Sequence, residues 1–150
     1  MNGDDAADSP RTRTMLVVDD QQSVRVSLVY MLEAAGYRVL AADSGTAALA
    51  LANQESFDGA LVDVHMPGMN GFDTCLRLKR DAAAARRMLR VWLMTGAFTS
   101  ALERRAAEIG ALGVFPKPFQ FASMWARFDE SFSLPLLLDA EPPNPNATAA

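Results

Sequence analysis

Five side chains able to do chemistry stand at or just beyond the ends of short apolar runs. Asp19 and Asp20 follow Met15–Val18, Asp63 follows Ala60–Val62, Thr95 follows Val91–Met94, and Lys117 comes two residues after Val114–Phe115. Brought together, they make three carboxylates, a hydroxyl and an ammonium. Carboxylates a few ångströms apart repel, and a divalent cation is the usual remedy. Donors that are all oxygen, carboxylates with carbonyls, suit Mg²⁺. A metal and a fixed cation over a moving phosphoryl group, with a hydroxyl beside it, are what phosphoryl transfer requires. A carboxylate such as Asp63 can act as its nucleophile, because carboxylates form aspartyl-phosphates.

Something must carry these residues to one place. The apolar runs Met15–Val18, Val39–Ala42, Ala60–Val62, Val91–Met94 and Val114–Phe115 are continuous, not alternating, as expected of strands covered on both faces. Helical spacing lies between them. Val24, Leu28, Met31, Leu32 and Ala35 line one face, with Gly36 as the stop. Ser44 is placed to cap a helix over Thr46–Gln54. Further helices are predicted over Gly71–Arg80, Thr99–Glu108 and Phe119–Phe132. Strand then helix five times over predicts an α/β fold with a parallel sheet and right-handed crossovers. In such sheets ligands bind beyond the carboxyl ends of the strands at the topological switch point, where the five reactive residues fall. No GxGxxG or Walker-type glycine loop follows the first strand, so dinucleotides and nucleoside triphosphates lose their main support.

Composition removes other classes. With 14 Lys and Arg against 18 Asp and Glu, the formal charge is −4, so no basic field points to nucleic acid. Half of the 150 residues are apolar, which argues against disorder throughout the chain. The single cysteine, Cys75, excludes an internal disulfide and a Cys-built zinc site, and the single histidine, His65, excludes a His pair. No apolar run approaches the ~20 residues of a membrane span and no signal peptide is evident, so a cytoplasmic location without membrane contact is expected. Residues 1–13 read as a polar, acidic N-terminal tail and 134–150 as a Pro-rich C-terminal tail, leaving 14–133 as one domain.

The signatures around the reactive residues resemble a known family. Val17-Val18-Asp19-Asp20-Gln21-Gln22-Ser23-Val24-Arg25 and Ala41-Ala42-Asp43-Ser44-Gly45-Thr46-Ala47-Ala48-Leu49 resemble the first two signatures of a two-component response-regulator receiver domain. So do Leu61-Val62-Asp63-Val64-His65-Met66-Pro67-Gly68-Met69-Asn70-Gly71, Met94-Thr95-Gly96-Ala97 and Phe115-Pro116-Lys117-Pro118-Phe119, in the right order from residue 14 to about 132. The resemblance implies a chemotaxis-regulator-like, flavodoxin-like (βα)5 doubly wound fold with strand order 2-1-3-4-5. It implies that Asp63 is the phosphoacceptor, with Asp20 a direct Mg²⁺ ligand and Asp19 acting largely through water. Asp63 and the backbone carbonyl of His65 would complete the protein's metal ligands. Thr95 would be the switch hydroxyl and Lys117 the ion pair of the phosphoryl group, behind a cis Lys117–Pro118 bond. The chain would be a signalling phosphoacceptor, not an enzyme beyond its own phosphorylation and dephosphorylation. Its donor would be a sensor histidine kinase or a histidine phosphotransfer protein.

The downstream partner would be met through the fourth helix, fifth strand and fifth helix, and a second copy of the chain is a candidate for the same face. No kinase domain or DNA-binding helix-turn-helix fits in the remaining sequence, so a stand-alone receiver, or one excised from a larger protein, is expected. Relatives commonly place Tyr or Phe three residues before the lysine. Here that position is Val114, followed by Phe115, which shifts the expected switching to the Thr95 loop and the fourth helix. For His65 two readings stand: a loop residue used only through its carbonyl, or an imidazole that touches the phosphoryl group or its attacking water. Phe121, Trp125, Phe128 and Phe132 form a helical stripe expected to pack on the sheet, and Cys75 is expected to pack as a small apolar group. Two other functions fit less of the pattern. A docking module that works without phosphorylation would not need the full Asp, Thr and Lys set. A metal-dependent aspartyl phosphatase of the haloacid-dehalogenase kind would want Asp-x-Asp after an early strand, where this chain has Asp63-Val64-His65 in its middle.

Overall fold

A computed structural model describes residues 12–133. The expected tails, 1–13 and 134–150, lie outside the described residues apart from Thr12 and Arg13. In chain order the elements are β1 (Thr14–Val18), α1 (Gln22–Ala34), β2 (Arg38–Ala42), α2 (Gly45–Ala52), β3 (Gly59–Asp63), α3 (Gly71–Ala84), β4 (Arg90–Thr95), α4 (Ser100–Glu108), β5 (Val114–Pro116) and α5 (Phe121–Ser133). All strand pairs are parallel and the sheet order is β2-β1-β3-β4-β5, as expected. Pro116 ends the edge strand β5, where a missing N–H costs no sheet hydrogen bond.

The continuous apolar runs are explained by two cores. Successive strand side chains point to opposite faces. Leu16, Val18, Ala60, Val62, Val91 and Leu93 meet Ala48 of α2, Phe72, Cys75 and Leu78 of α3, and Ala106 of α4. Met15, Val17, Leu61, Trp92, Met94 and Phe115 meet Leu28 and Leu32 of α1 and Met124 and Phe128 of α5. The helix after β1 therefore packs on one face and the helix after β3 on the other. Their connections diverge, which opens a crevice over the carboxyl ends of β1 and β3.

Local chemistry sets the helix ends. Ser44, Asn70 and Thr99 each accept a backbone N–H from three residues on, at 3.1, 2.9 and 3.1 Å, and so cap α2, α3 and α4. Gly36, at φ +99°, takes the left-handed turn that ends α1. Three helix boundaries differ from expectation by two residues or more, and α2, expected over Thr46–Gln54, stops at Ala52. α3 runs on past Arg80 to Ala84, because Asp81-Ala82-Ala83-Ala84 offers little apolar period but high helix propensity. α5 begins at Phe121 and not at Phe119, since Pro118 and the turn after it hold the chain out of the helix. The aromatic stripe packs as expected: the Phe128 ring lies 4.7 Å from Trp92, and Phe121, Trp125 and Phe132 cover the same core.

At the amino ends of the strands, Phe132 is held between two guanidinium groups, Arg13 at 4.5 Å and Arg90 at 4.9 Å from its ring centre. Arg13 also donates to the Phe132 carbonyl (3.2 Å) and Arg90 to that of Ser131 (3.1 Å), satisfying carbonyls at the end of α5. Among the described residues, no helix is long and apolar enough to cross a membrane.

Cys75 is fully buried, and burial pushes its thiol up to about 12 despite the opposing charge of Lys79. Alkylation of Cys75 by iodoacetamide at neutral pH is expected to be negligible in the native protein and to rise only through the urea unfolding transition. Native-state labelling at the rate of a free thiol would contradict this packing.

Candidate functional site

The site is assembled from four strand ends. β1 delivers Asp19 and Asp20, β3 ends on Asp63, β4 ends on Thr95, and Lys117 follows β5. Asp19, Asp20 and Asp63 can place one carboxylate oxygen each within 4.8 Å of one another. Asp19 and Asp63 are buried and Asp20 is exposed. Lys117 Nζ donates to Asp19 Oδ2 at 2.6 Å and lies 3.4 Å from Asp63 Oδ1. The sequence-predicted carboxylates and lysine therefore come together in one crevice. Thr95 is fully buried at the end of β4, next to β3, with its hydroxyl accepting the Ala97 N–H at 3.0 Å. The Lys117 N–H donates to the Thr95 carbonyl (2.8 Å), tying the loop that carries the ammonium to the strand that carries the hydroxyl. The Lys117–Pro118 bond is cis.

The three acids are held differently. Asp19 Oδ1 accepts the Gln21 N–H (2.9 Å) while Oδ2 takes Lys117, so both its oxygens are engaged. Asp19 thus also serves the head of α1, whose N-cap residue Gln21 makes no side-chain cap. Among the described residues, no hydrogen bond or ion pair holds the Asp20 carboxylate, which faces solvent. Burial, and then the charge of Asp19, push Asp63 above the ordinary carboxylate range, with Lys117 and the His65 backbone amide opposing. The His65 side chain is exposed.

The crevice carries an excess of negative charge. Two unit charges 4 Å apart at an effective dielectric of about 20 interact by about 4 kcal/mol. One ammonium offsets one carboxylate, leaving repulsion of that order between the rest. The donors are hard anionic oxygens with one unpaired, solvent-facing carboxylate, and that set fits a Mg²⁺ ion.

Two residues at the site were missed in the sequence reading. Arg25, one turn into α1, donates from Nη1 to the Asp19 carbonyl at 2.8 Å. Gly71 opens α3 where any Cβ would run into the backbone oxygen of Asp63. Neither leaves a distinctive residue-type signature, because both act on backbone atoms. Val114 and Phe115 also resolve. Val114 faces the α2–α4 core, whereas Phe115 packs on the other face against Phe128, at 5.8 Å between ring centres. Phe115 therefore does not stand in for an aromatic residue at position 114.

The family model of the response regulator receiver domain matches residues 15–129. The sensory/regulatory protein RpfC of Xanthomonas campestris pv. campestris is 33% identical over 114 residues, covering 76% of this chain and 16% of that protein. Sporulation initiation phosphotransferase F of Bacillus subtilis is 33% identical over 105 residues, covering 70% of this chain and 82% of that one. Among solved structures, the chemotaxis protein CheY4 of Vibrio cholerae superposes with a TM-score of 0.73 at 28% identity, covering 80% of this chain and 98% of that one. This chain thus spans about a sixth of the first curated relative it matches.

Substituting Gly71→Ala is expected to destabilise the fold by about 1–3 kcal/mol, because backbone, not a flexible side chain, must give way. A urea midpoint unchanged from the natural protein would refute that close approach.

Proposed function

Since this chain belongs to the response regulator receiver domain family, the receivers of two-component and phosphorelay signalling, we propose that it accepts a phosphoryl group on Asp63 from a phosphohistidine donor. The observation that carries the reading is Lys117 Nζ bridging Asp19 and Asp63, with the unpaired Asp20 carboxylate beside them.

Asp63, Asp20 and the backbone carbonyl of His65 are the residues that would hold Mg²⁺, with Asp19 acting through water. When bound there, the ion supplies positive charge against the carboxylates and the phosphoryl oxygens. The remaining work belongs to the chain. A carboxylate oxygen of Asp63 attacks phosphorus, the new P–O bond forms, and the P–N bond to the donor histidine breaks with its electron pair leaving on the imidazole. Gly71 keeps the β3–α3 connection close enough to hold Asp63 at the mouth of the crevice. Lys117 has only to turn from Asp19 to meet a phosphoryl oxygen, since it already lies 3.4 Å from Asp63. Thr95 keeps a hydroxyl proton to offer while accepting the Ala97 N–H. Attack of water on phosphorus later releases phosphate and restores the carboxylate.

The added charge biases a two-state equilibrium of the β4–α4 region and so alters partner binding. A downstream protein would meet the groove lined by Phe98, Ala106, Leu112, Val114 and Arg127, between α4, β5 and α5. The donor kinase would meet α1, whose outer face exposes Val26 and Tyr30 (60% and 72% accessible) near the acidic loop. A cytoplasmic location follows from this partnership. Phosphorylation-dependent switching without an aromatic residue at position 114 would rest on Thr95 and α4.

Incubation with acetyl phosphate and Mg²⁺ tests the reading. One acid-labile phosphate per chain is expected, lost in Asp63→Asn and on chelation with EDTA. No incorporation would leave a phosphorylation-independent docking module, and sustained turnover of phosphomonoesters would indicate a phosphatase. His65→Ala is expected to dephosphorylate at the natural rate if only the His65 carbonyl is used. A rate changed several-fold would assign the imidazole a part.

A further inference from the structure

Among the described residues, no hydrogen bond or ion pair aims the exposed Asp20 carboxylate, so its direction is set through the backbone that carries it. The loop between β1 and α1 is pinned at Asp19 from four sides. Its N–H donates to the Ala42 carbonyl (3.2 Å), its two carboxylate oxygens go to Gln21 N–H and Lys117 Nζ, and its carbonyl accepts Arg25 Nη1 (2.8 Å). The last contact differs in kind from the others. The Asp19 carbonyl and the Asp20 N–H belong to one rigid peptide plane. Whatever fixes that carbonyl fixes the Asp20 N–H and Cα, the base from which the exposed carboxylate reaches out, and leaves only rotation about Asp20's own torsions. Arg25 is itself well placed to hold still, because its backbone N–H makes the first hydrogen bond of α1, to the Gln21 carbonyl (3.1 Å).

We propose that Arg25 is a positioning residue for divalent-cation binding, holding the Asp19–Asp20 peptide plane so that Asp20 points into the crevice. The inference rests on the reading of Asp19, Asp20 and Asp63 as a cation site. Its two conceivable effects have opposite signs. As a nearby positive charge, Arg25 opposes a cation, and its removal would tighten Mg²⁺ binding. As the clamp of the peptide plane it favours binding, and its removal weakens it. Partners outside the ligand set commonly change metal affinity by about 10–100-fold. The clamp therefore outweighs the charge, which acts through solvent-rich surroundings at an exposed carboxylate.

The test is isothermal titration of the full chain with MgCl2, for the natural protein, Arg25→Met, Arg25→Lys and the control Asp20→Asn, with a urea midpoint for each without metal. Arg25→Met is expected to bind Mg²⁺ about 10-fold more weakly, with Arg25→Lys, which restores a cationic donor, between the two. In phosphorylation by acetyl phosphate, the half-saturating Mg²⁺ concentration should rise by the same factor while the rate at saturating Mg²⁺ stays near that of the natural protein. A merely structural role would lower that plateau instead. Equal or tighter binding by Arg25→Met overturns the proposal, as does a Lys variant no better than Met. If Arg25→Met does not fold, Arg25→Gln, helix-compatible and too short to reach the Asp19 carbonyl, is judged by the same criterion. Failure of the natural protein to bind Mg²⁺ would instead overturn the cation-site reading and this inference with it. Natural binding abolished by Asp20→Asn and untouched by Arg25→Met would overturn this inference alone.

Discussion

Repulsion between carboxylates gathered at the end of a buried sheet is the constraint around which the rest of the molecule is arranged. Asp19 and Asp63 sit where water is largely excluded, and burial together with the charge of Asp19 raises the cost of ionising Asp63. Lys117, drawn from the far strand of the sheet, offsets part of it through one 2.6 Å and one 3.4 Å contact. Such an excess of negative charge favours an added cation.

Keeping such a site in being demands a rigid frame. The parallel sheet carries two separate cores, and the residues that alternate along β1, β3 and β4 serve both. Each fully buried Leu, Val or Met contributes roughly 1.5–3 kcal/mol relative to an exposed one, far more than any surface ion pair. The packing therefore bears the electrostatic cost at the crevice. Close approaches then transmit position: Gly71 against the Asp63 backbone, and the Lys117 N–H on the Thr95 carbonyl. On the α2–α4 face, the Arg105 guanidinium lies 4.1 Å from the Phe72 ring centre, and Lys79 Nζ donates to the Gly110 carbonyl at 3.0 Å. The C-terminal turn of α4 and the residues just after it are thus joined to α3, at Phe72 in its first turn and at Lys79 past its middle.

Much of this was legible in residue types and spacing. Continuous apolar runs announced strands covered on both faces, Ser44 and Gly36 marked helix ends, and Asp19, Asp20, Asp63, Thr95 and Lys117 stood at strand termini because the fold puts ligands there. What stayed hidden was of two kinds. The extension of α3 to Ala84 rests on alanine propensity, which has no periodicity to read. The division of the Asp19 oxygens between Gln21 and Lys117, the reach of Arg25 and the need for glycine at 71 all involve backbone atoms or partners remote in sequence. Such contacts are set by tertiary geometry. Phe115 illustrates the boundary: strand alternation alone turns it away from the side that Val114 faces, a point available from register once the strand is placed.

The guanidinium pair around Phe132 has a consequence of another kind. Arg13 precedes the first strand and Phe132 lies at the end of the last helix, yet they touch, at the pole opposite the crevice. The described body is therefore a cassette whose entry and exit share one doorway. It can be spliced into a host chain, or tethered to a bead or fluorophore from either side, with its reactive mouth left facing outward. The stretches of much longer proteins that this chain resembles are compatible with such a plug-in geometry.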